Sequence, residues 1–174
     1  MSRNNKRGRP SATKELQFRH AEQLRESGVL SRDVLRADKL REVLERLFHI
    51  NEQVPILVEG RRDVEALRII GFAGEILTLH GRRGFYEFAD DLHARYDSIV
   101  LLLDWDEKGE ALQTQVGALL LGLWEAHSPI RESLMNLCQK DIRDVQSLPS
   151  LLERLAGTRT LFPDGEAQKE APAQ

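Results

Sequence analysis

The stretch Ser98-Ile-Val-Leu-Leu-Leu-Asp-Trp-Asp-Glu-Lys-Gly109 decides the fold, because an unbroken apolar run passes directly into a group of acidic residues. Such a run is typical of a strand buried on both faces in a parallel sheet. A second run of this kind, Val54-Pro-Ile-Leu-Val58, lies upstream and is followed by Glu59. The two runs predict strands of one buried parallel sheet.

Helical patterns separate these strands. Apolar residues recur every three or four positions in Asp63–Ile70, Phe85–Leu92 and roughly Glu110–Ala126, while Ile76–Leu79 predicts another short strand. Alternating strands and helices are the signature of right-handed βαβ units, so we expect an α/β fold, a Rossmann-type parallel sheet sandwiched by helices. Beyond Pro129 weaker patterns predict a helix over Ile130–Cys138, a short strand over Asp141–Val145 and a helix over Leu148–Leu155.

We expect four segments along the chain. They are a disordered basic tail over residues 1–13, an N-terminal helical arm over 14–50, the sheet domain over 51–157 and a disordered C-terminal tail over 158–174. Within the arm, apolar residues from Val34 to Phe48 share one helix face. This face either binds a second copy or a partner protein, or it covers the sheet.

Composition indicates a cytoplasmic protein. The single Cys138 cannot form an internal disulfide and the five His residues are scattered, which excludes a disulfide-dense secreted scaffold and argues against structural zinc. The N-terminus lacks the apolar segment of a signal peptide, and no apolar stretch is long enough to span a bilayer. We therefore expect no membrane partner.

Charge is distributed unevenly along the chain. The net charge of −3 argues against a polyanionic partner, but residues 1–50 carry twelve Lys and Arg against seven Asp and Glu. In the tail, Lys6-Arg7-Gly8-Arg9-Pro10 resembles the core of an AT-hook, in which both arginines enter a narrow minor groove. The alternative is a solubilising charge run. In either case Arg7 and Arg9 would add salt-sensitive affinity for nucleic acid.

Acidic residues follow the predicted strands at their carboxyl ends, where ligands bind in open parallel sheets. Asp104 and Asp106 lie two residues apart in an extended segment, so their carboxylates would project to one side, about 6–7 Å apart, with Trp105 pointing into the core. Such a pair can share a hard cation, Mg²⁺ or Mn²⁺. Glu59 would complete this site or act as general acid and base. The alternative for Asp-x-Asp is a helix N-cap in a solvated turn.

A glycine-rich basic loop follows the second predicted strand. It reads His80-Gly81-Arg82-Arg83-Gly84. Arg82 and Arg83 would clamp a phosphate beside the acidic site, since guanidinium groups bind phosphate with paired hydrogen bonds. The alternative is a solvated loop without a ligand.

Together, the segments Val58–Leu67 and Leu101–Gly109 resemble the TOPRIM domain. Topoisomerases, bacterial primases, overcoming-lysogenization-defect nucleases and the small ribonuclease that matures 5S ribosomal RNA share this domain. The resemblance implies a TOPRIM-like fold with Glu59 as general acid and base and with Asp104 and Asp106 as Mg²⁺ ligands. Supporting positions are Gly60, Asp63, Gly81 and Gly109.

The resemblance, over about residues 54–126, is incomplete for two of these enzyme classes. Topoisomerases need a tyrosine nucleophile from a separate domain, whereas Tyr86 and Tyr96 lie inside the predicted sheet domain. Primases need a zinc-binding module and an additional basic domain that holds the template, and neither fits this sequence, whose single Cys and five scattered His residues do not assemble a zinc ligand set. A metal-dependent nuclease needs the fewest additional parts, because the ion itself activates water and stabilises the charge that develops on the phosphodiester. The chain is most similar to small stand-alone TOPRIM proteins.

We therefore expect Mg²⁺-dependent nucleic-acid phosphodiester chemistry, by a nuclease that acts on structured RNA or on DNA. Two alternatives remain. A non-catalytic module would bring DNA or RNA to a partner protein, with salt-dependent binding that does not need metal. In the second alternative the acidic residues bind a metal only for stability. Mg²⁺ would then shift the melting temperature, and the protein would have no affinity for nucleic acid.

Overall fold

The computed structural model describes residues 32–79 and 84–162. The basic tail, the first part of the predicted arm and residues 163–174 lie outside the described residues. The same holds for four residues of the basic loop. Predictions for Arg7, Arg9, Gly81, Arg82 and Arg83 therefore stay predictions.

The described residues alternate between strands and helices, as expected for an α/β fold. The elements are α1 (Arg32–Asn51), β1 (Ile56–Val58), α2 (Arg61–Ile70), β2 (Ile76–Thr78), α3 (Phe85–Arg95), β3 (Val100–Leu101), α4 (Glu107–Leu119), a 3₁₀ turn (Glu125–His127), α5 (Ser128–Cys138) and α6 (Leu148–Ala156). Over these two stretches of chain, the helices lack the length and apolar character needed to cross a membrane.

The sheet is parallel, with β1 in the middle of the order β2-β1-β3. Leu57 of β1 is in register with Leu77 of β2 and Leu101 of β3. Hydrogen bonding continues just beyond β3, where the Leu102 N–H donates to the Leu57 carbonyl at 2.8 Å. The predicted parallel α/β architecture is confirmed.

Side chains of the central strand alternate between two apolar layers, because successive residues of a strand point to opposite faces. Ile56 and Val58 pack into a core with α1, α2, α5 and α6. Leu57 packs into a second core with α3 and α4. All three side chains are completely buried. Helices on both faces explain why β1 is an unbroken apolar run.

The predicted strand over Asp141–Val145 is wrong. This segment is a loop that makes one strand-like contact, in which the Trp105 N–H donates to the Arg143 carbonyl at 2.9 Å. The next donor, the Val145 N–H, bonds to the side chain of Asp104 instead of a backbone carbonyl. A ladder needs successive backbone pairs, so no strand forms.

Helix α1, which falls in the predicted arm, shares the first core with the rest of the chain. Leu40, Leu44 and Leu47 are completely buried in the same cluster as Ile56 and Val58. At the end of α1, the Asn51 amide donates to the Val54 and Glu75 carbonyls, which ties the helix to the turn before β1 and to the residue before β2. The apolar face of α1 therefore packs against α5 and α6 in the core on one side of the sheet.

Replacing Leu44 with alanine is expected to lower the free energy of unfolding by about 2–5 kcal/mol, because it leaves a cavity in a closed core. Leu35 lies on the same helix but is 52% exposed. The matched Leu35→Ala change is expected to stay within about 0.5 kcal/mol of the parent. Urea unfolding of both variants measures the difference, and equal losses would mean that α1 is not part of the core.

Candidate functional site

Acidic side chains from neighbouring strands meet at the carboxyl edge of the sheet. Glu59 directly follows β1, and Asp104 lies three residues after β3. Asp63, in the first turn of α2, joins them in lining an open cleft of about 420 Å³. The cleft is completed by Gly60, Arg61, Arg62, Lys108 and Gln146. Three carboxylates thus share one cleft with three basic side chains.

Glu59 is buried, with 6% of its surface exposed, the same fraction as Asp63. Its Oε1 atom is buried and has no hydrogen-bond partner among the described residues. Burial raises the pKa of Glu59, and the nearby charges of Asp63 and Asp106 raise it further. A backbone hydrogen bond from Asp104 and the charge of Lys108 oppose this rise. Glu59 is therefore poised to bind a proton or a cation.

The pKa of Asp104 is also raised by its surroundings. Its Oδ1 accepts a hydrogen bond from the Val145 N–H at 2.9 Å. Burial raises the pKa of Asp104 to about 7, against that hydrogen bond and with help from the charges of Asp63, Glu59 and Asp144. A cation between the carboxylates of Asp104 and Glu59 would offset the repulsion between their negative charges.

Asp63 has a defined structural part in this cluster. Its Oδ2 accepts a hydrogen bond from the Gly60 N–H at 2.9 Å, at the start of α2. The bond fixes the turn between Glu59 and the helix, so Asp63 orients Glu59 as well as adding negative charge. Its spacing from Gly60 is that of an acidic side chain reaching back to a helix N-cap.

Asp106 is used differently from Asp104. It is the N-cap of α4, where its Oδ1 accepts a hydrogen bond from the Gly109 N–H at 2.7 Å. It is not among the residues that line the cleft, although its charge contributes to the raised pKa of Glu59. The N-cap alternative for the second aspartate is confirmed, and a cation shared by both aspartates stays a prediction. Trp105 points into the core as predicted, and its indole N–H donates to the Ile142 carbonyl.

Position 109 requires glycine because the start of α4 lies very close to the backbone of Asp104. A Cβ at this position would lie 2.3 Å from the Asp104 carbonyl oxygen and 2.9 Å from the Asp104 Cβ. Any larger residue would therefore push the start of α4 away from Asp104. The supporting position predicted from the sequence thus has a steric explanation.

Replacing Gly109 with alanine is expected to cost about 3 kcal/mol of unfolding free energy, since backbone atoms cannot move aside as a flexible side chain can. Gly117 lies on the same helix, and its Cβ would meet the Trp124 ring at 3.1 Å. Gly117→Ala is expected to change stability by less than about 1 kcal/mol, because the gain in helix propensity offsets this contact. Thermal unfolding compares the two, and a neutral Gly109→Ala would refute the close approach.

Sequence reasoning missed several residues around the cleft. Lys108 and Gln146 line it, and Asp144 adds its charge to Asp104. Behind the cleft, Arg131 donates to the backbone carbonyl of Asp104. Its position offered a signal, because Arg131 falls three and seven residues before the core-facing Leu134 and Cys138 of α5. A charged residue on an apolar helix face is expected to be buried with a hydrogen-bond or ion-pair partner.

The donor set suits a hard divalent cation. All the acidic groups offer oxygen atoms, which Mg²⁺ prefers, and the partnerless Oε1 of Glu59 is a ready ligand. Within residues 32–79 and 84–162, however, no three His, Cys, Asp or Glu side chains form a preassembled metal-binding group. The residues therefore fit an ion that one or two carboxylates hold, with water and substrate oxygens as its remaining ligands.

The chain is similar to proteins that match it over most of their own length. A UPF0292 protein of Thermoplasma volcanium is 32% identical over 114 residues, which cover 64% of this chain and 93% of that protein. A UPF0292 protein of Pyrococcus furiosus is 33% identical over 118 residues, covering 68% and 87%. A solved structure of an Aquifex aeolicus protein matches with a TM-score of 0.52 and 25% identity, over 61% of this chain and 94% of that one. No protein-family model matches the chain.

Proposed function

The chain belongs to the UPF0292 family, and we propose that it is a Mg²⁺-dependent nuclease of the TOPRIM type, which hydrolyses phosphodiester bonds of structured RNA or of DNA in the cytoplasm. The observation that carries the proposal is the buried Oε1 of Glu59, which has no hydrogen-bond partner among the described residues. A buried polar atom without a partner is costly, so a ligand at this place is the simplest explanation.

Two carboxylates would hold the ion. Glu59 offers its partnerless oxygen, and Asp104 offers the oxygen that does not accept from Val145. Bound Mg²⁺ would activate water and neutralise the charge that develops on the phosphoryl oxygens. Asp106 supports the site by fixing the start of α4 and, in the sequence-based proposal, by contributing a third ligand.

Proton transfer would fall to Glu59. Burial raises the pKa of this carboxyl, which strengthens it as a proton acceptor. Lys108 opposes that rise in pKa. The proposed role of Glu59 is therefore to take a proton from the attacking water, and the charge of Lys108 favours the ionised form of the carboxyl that can do so.

The rim of the cleft would bind the substrate backbone. Arg62, Lys108 and Gln146 are exposed where they line the cleft, and so is Arg61, which also pairs with Glu65 at 3.0 Å. Arg62 and Lys108 suit phosphate oxygens, and Gln146 suits a sugar or base edge. The sequence adds Arg82 and Arg83 after β2 and the basic tail with Arg7 and Arg9 as further contacts with nucleic acid.

Cleavage of end-labelled RNA hairpins and of single- and double-stranded DNA tests the proposal. We expect cleavage in Mg²⁺ or Mn²⁺ that EDTA abolishes and that the double variant Asp104→Asn, Asp106→Asn has lost. Undiminished cleavage by the double variant would refute the assignment of the site. Salt-dependent binding with no cleavage under any metal would instead identify the non-catalytic module that works with a partner protein.

A further inference from the structure

Arg131 lies directly behind the end of β3. Its side chain, on α5, is only 8% exposed. The guanidinium donates from Nε to the Leu103 carbonyl at 2.9 Å and from Nη2 to the Asp104 carbonyl at 2.5 Å. The same Nη2 pairs with Glu110 Oε1 at 2.6 Å, in the first turn of α4. One side chain therefore joins α5, the end of β3 and α4.

Stability alone does not account for a buried arginine here. Removing a charged group from water costs several kcal/mol, and apolar replacements of buried ion pairs are often neutral or stabilising. The guanidinium, in contrast, supplies a rigid fork of donors that fixes the direction of the carbonyls it binds. Both backbone carbonyls that it binds belong to the residues that lead into the candidate site.

We propose that Arg131 is a positioning residue for the candidate metal site, which fixes the backbone at Leu103 and Asp104 so that the Asp104 carboxylate faces Glu59 across the cleft. This inference rests on the proposed Mg²⁺ site. Arg131 acts from behind and does not contact the ion.

Three contacts then define the orientation of Asp104. Arg131 holds its carbonyl, the Val145 N–H holds Oδ1, and the close packing of Gly109 limits movement of the adjoining helix. Loss of the guanidinium would free the carbonyl and loosen the link to Glu110. Groups that orient metal ligands in this way typically contribute 10- to 100-fold to metal affinity.

Mn²⁺ affinity, measured by electron paramagnetic resonance of the free ion, tests the proposal without relying on cleavage. We expect Arg131→Gln to weaken Mn²⁺ binding about 10- to 100-fold. Arg131→Lys keeps the positive charge but loses the planar set of guanidinium donors, and we expect it to weaken Mn²⁺ binding about tenfold. The lysine variant also provides the decisive measurement if the glutamine variant does not fold.

Arg68 provides a matched control. Its Nη1 also donates to two backbone carbonyls, those of Phe72 at 2.7 Å and Gly74 at 2.8 Å, beyond the opposite end of α2 from the cleft. Arg68→Gln is expected to lower the melting temperature and to leave Mn²⁺ affinity unchanged. A fall in affinity that merely follows lost stability in all variants, Arg68→Gln included, would overturn the positioning role.

The outcomes separate the two proposals. If the parent protein binds no Mn²⁺, the proposed function fails at its first step. If the parent binds Mn²⁺ and the folded Arg131→Lys protein binds it equally well, the positioning role of Arg131 fails while the metal site stands.

Discussion

Replacing Glu59 with glutamine is expected to lower the rate of Mg²⁺-dependent cleavage by about 10²–10⁴-fold, the usual contribution of a general acid or base. Glutamine has nearly the same shape as glutamate, but it can neither accept the proton nor offer a charged oxygen to the ion. Glu59 is buried, and its Oε1 has no hydrogen-bond partner in the described part of the chain. The loss should therefore come from chemistry and metal binding, with the fold preserved.

Glu132 provides the control for this change, because it is an exposed glutamate on α5. Glu132→Gln should cleave at the parental rate. Single-turnover cleavage of a labelled hairpin measures both variants, with circular dichroism to verify folding. A Glu59→Gln protein that cleaves within a few-fold of the parent would place the general base elsewhere.

Replacing Asp104 with asparagine is expected to stabilise the metal-free protein at pH 8. The pKa of Asp104 is about 7 in the folded protein, against 3.8 for an ordinary aspartate. Between about pH 4 and 7 the unfolded chain has lost this proton while the folded chain retains it, so the free energy of unfolding falls as pH rises. Above pH 7 the destabilisation is complete. Asparagine removes it, for a gain of about 1–2 kcal/mol once solvent screening is allowed for.

Thermal unfolding at two pH values measures this prediction. A gain of this size corresponds to a rise in melting temperature of about 2–8 °C at pH 8, and it should shrink towards zero at pH 4. Mg²⁺ should stabilise the parent at pH 8, because it binds the folded state, and should stabilise Asp104→Asn much less. Asp90→Asn, at an exposed site on α3, is the control and should change neither quantity. A less stable Asp104→Asn protein at pH 8 would contradict the raised pKa of the buried Asp104.

The sheet and the location of the site could be predicted because both depend on short, local patterns. Apolar runs such as Val54–Val58 are long enough to identify buried strands, and parallel strands bring their carboxyl ends to one edge. Glu59 and Asp104 were therefore predicted to approach each other, and they line one cleft.

Other features could not be predicted from the local pattern. Asp104 and Asp106 have the spacing of both a metal pair and a helix N-cap, and it is the hydrogen bond from the Gly109 N–H that shows that Asp106 caps α4. The Asp141–Val145 segment has the apolar and polar residues of a short strand, but its Val145 N–H binds a side chain. Arg131 lies 27 residues from Asp104 in the sequence, so that contact exists only in the folded chain.

A crystal structure of the protein soaked in Mn²⁺ tests the proposed metal site most directly, because anomalous scattering identifies the ion and its ligands. We predict one ion in the cleft, at about the 2.1 Å typical of such oxygen ligands from Glu59 and from Asp104. Its coordination would also show whether Asp106 turns from the cap of α4 to the ion. A cleft that stays free of Mn²⁺ at saturating concentration, with Glu59 still without a partner, would contradict the account.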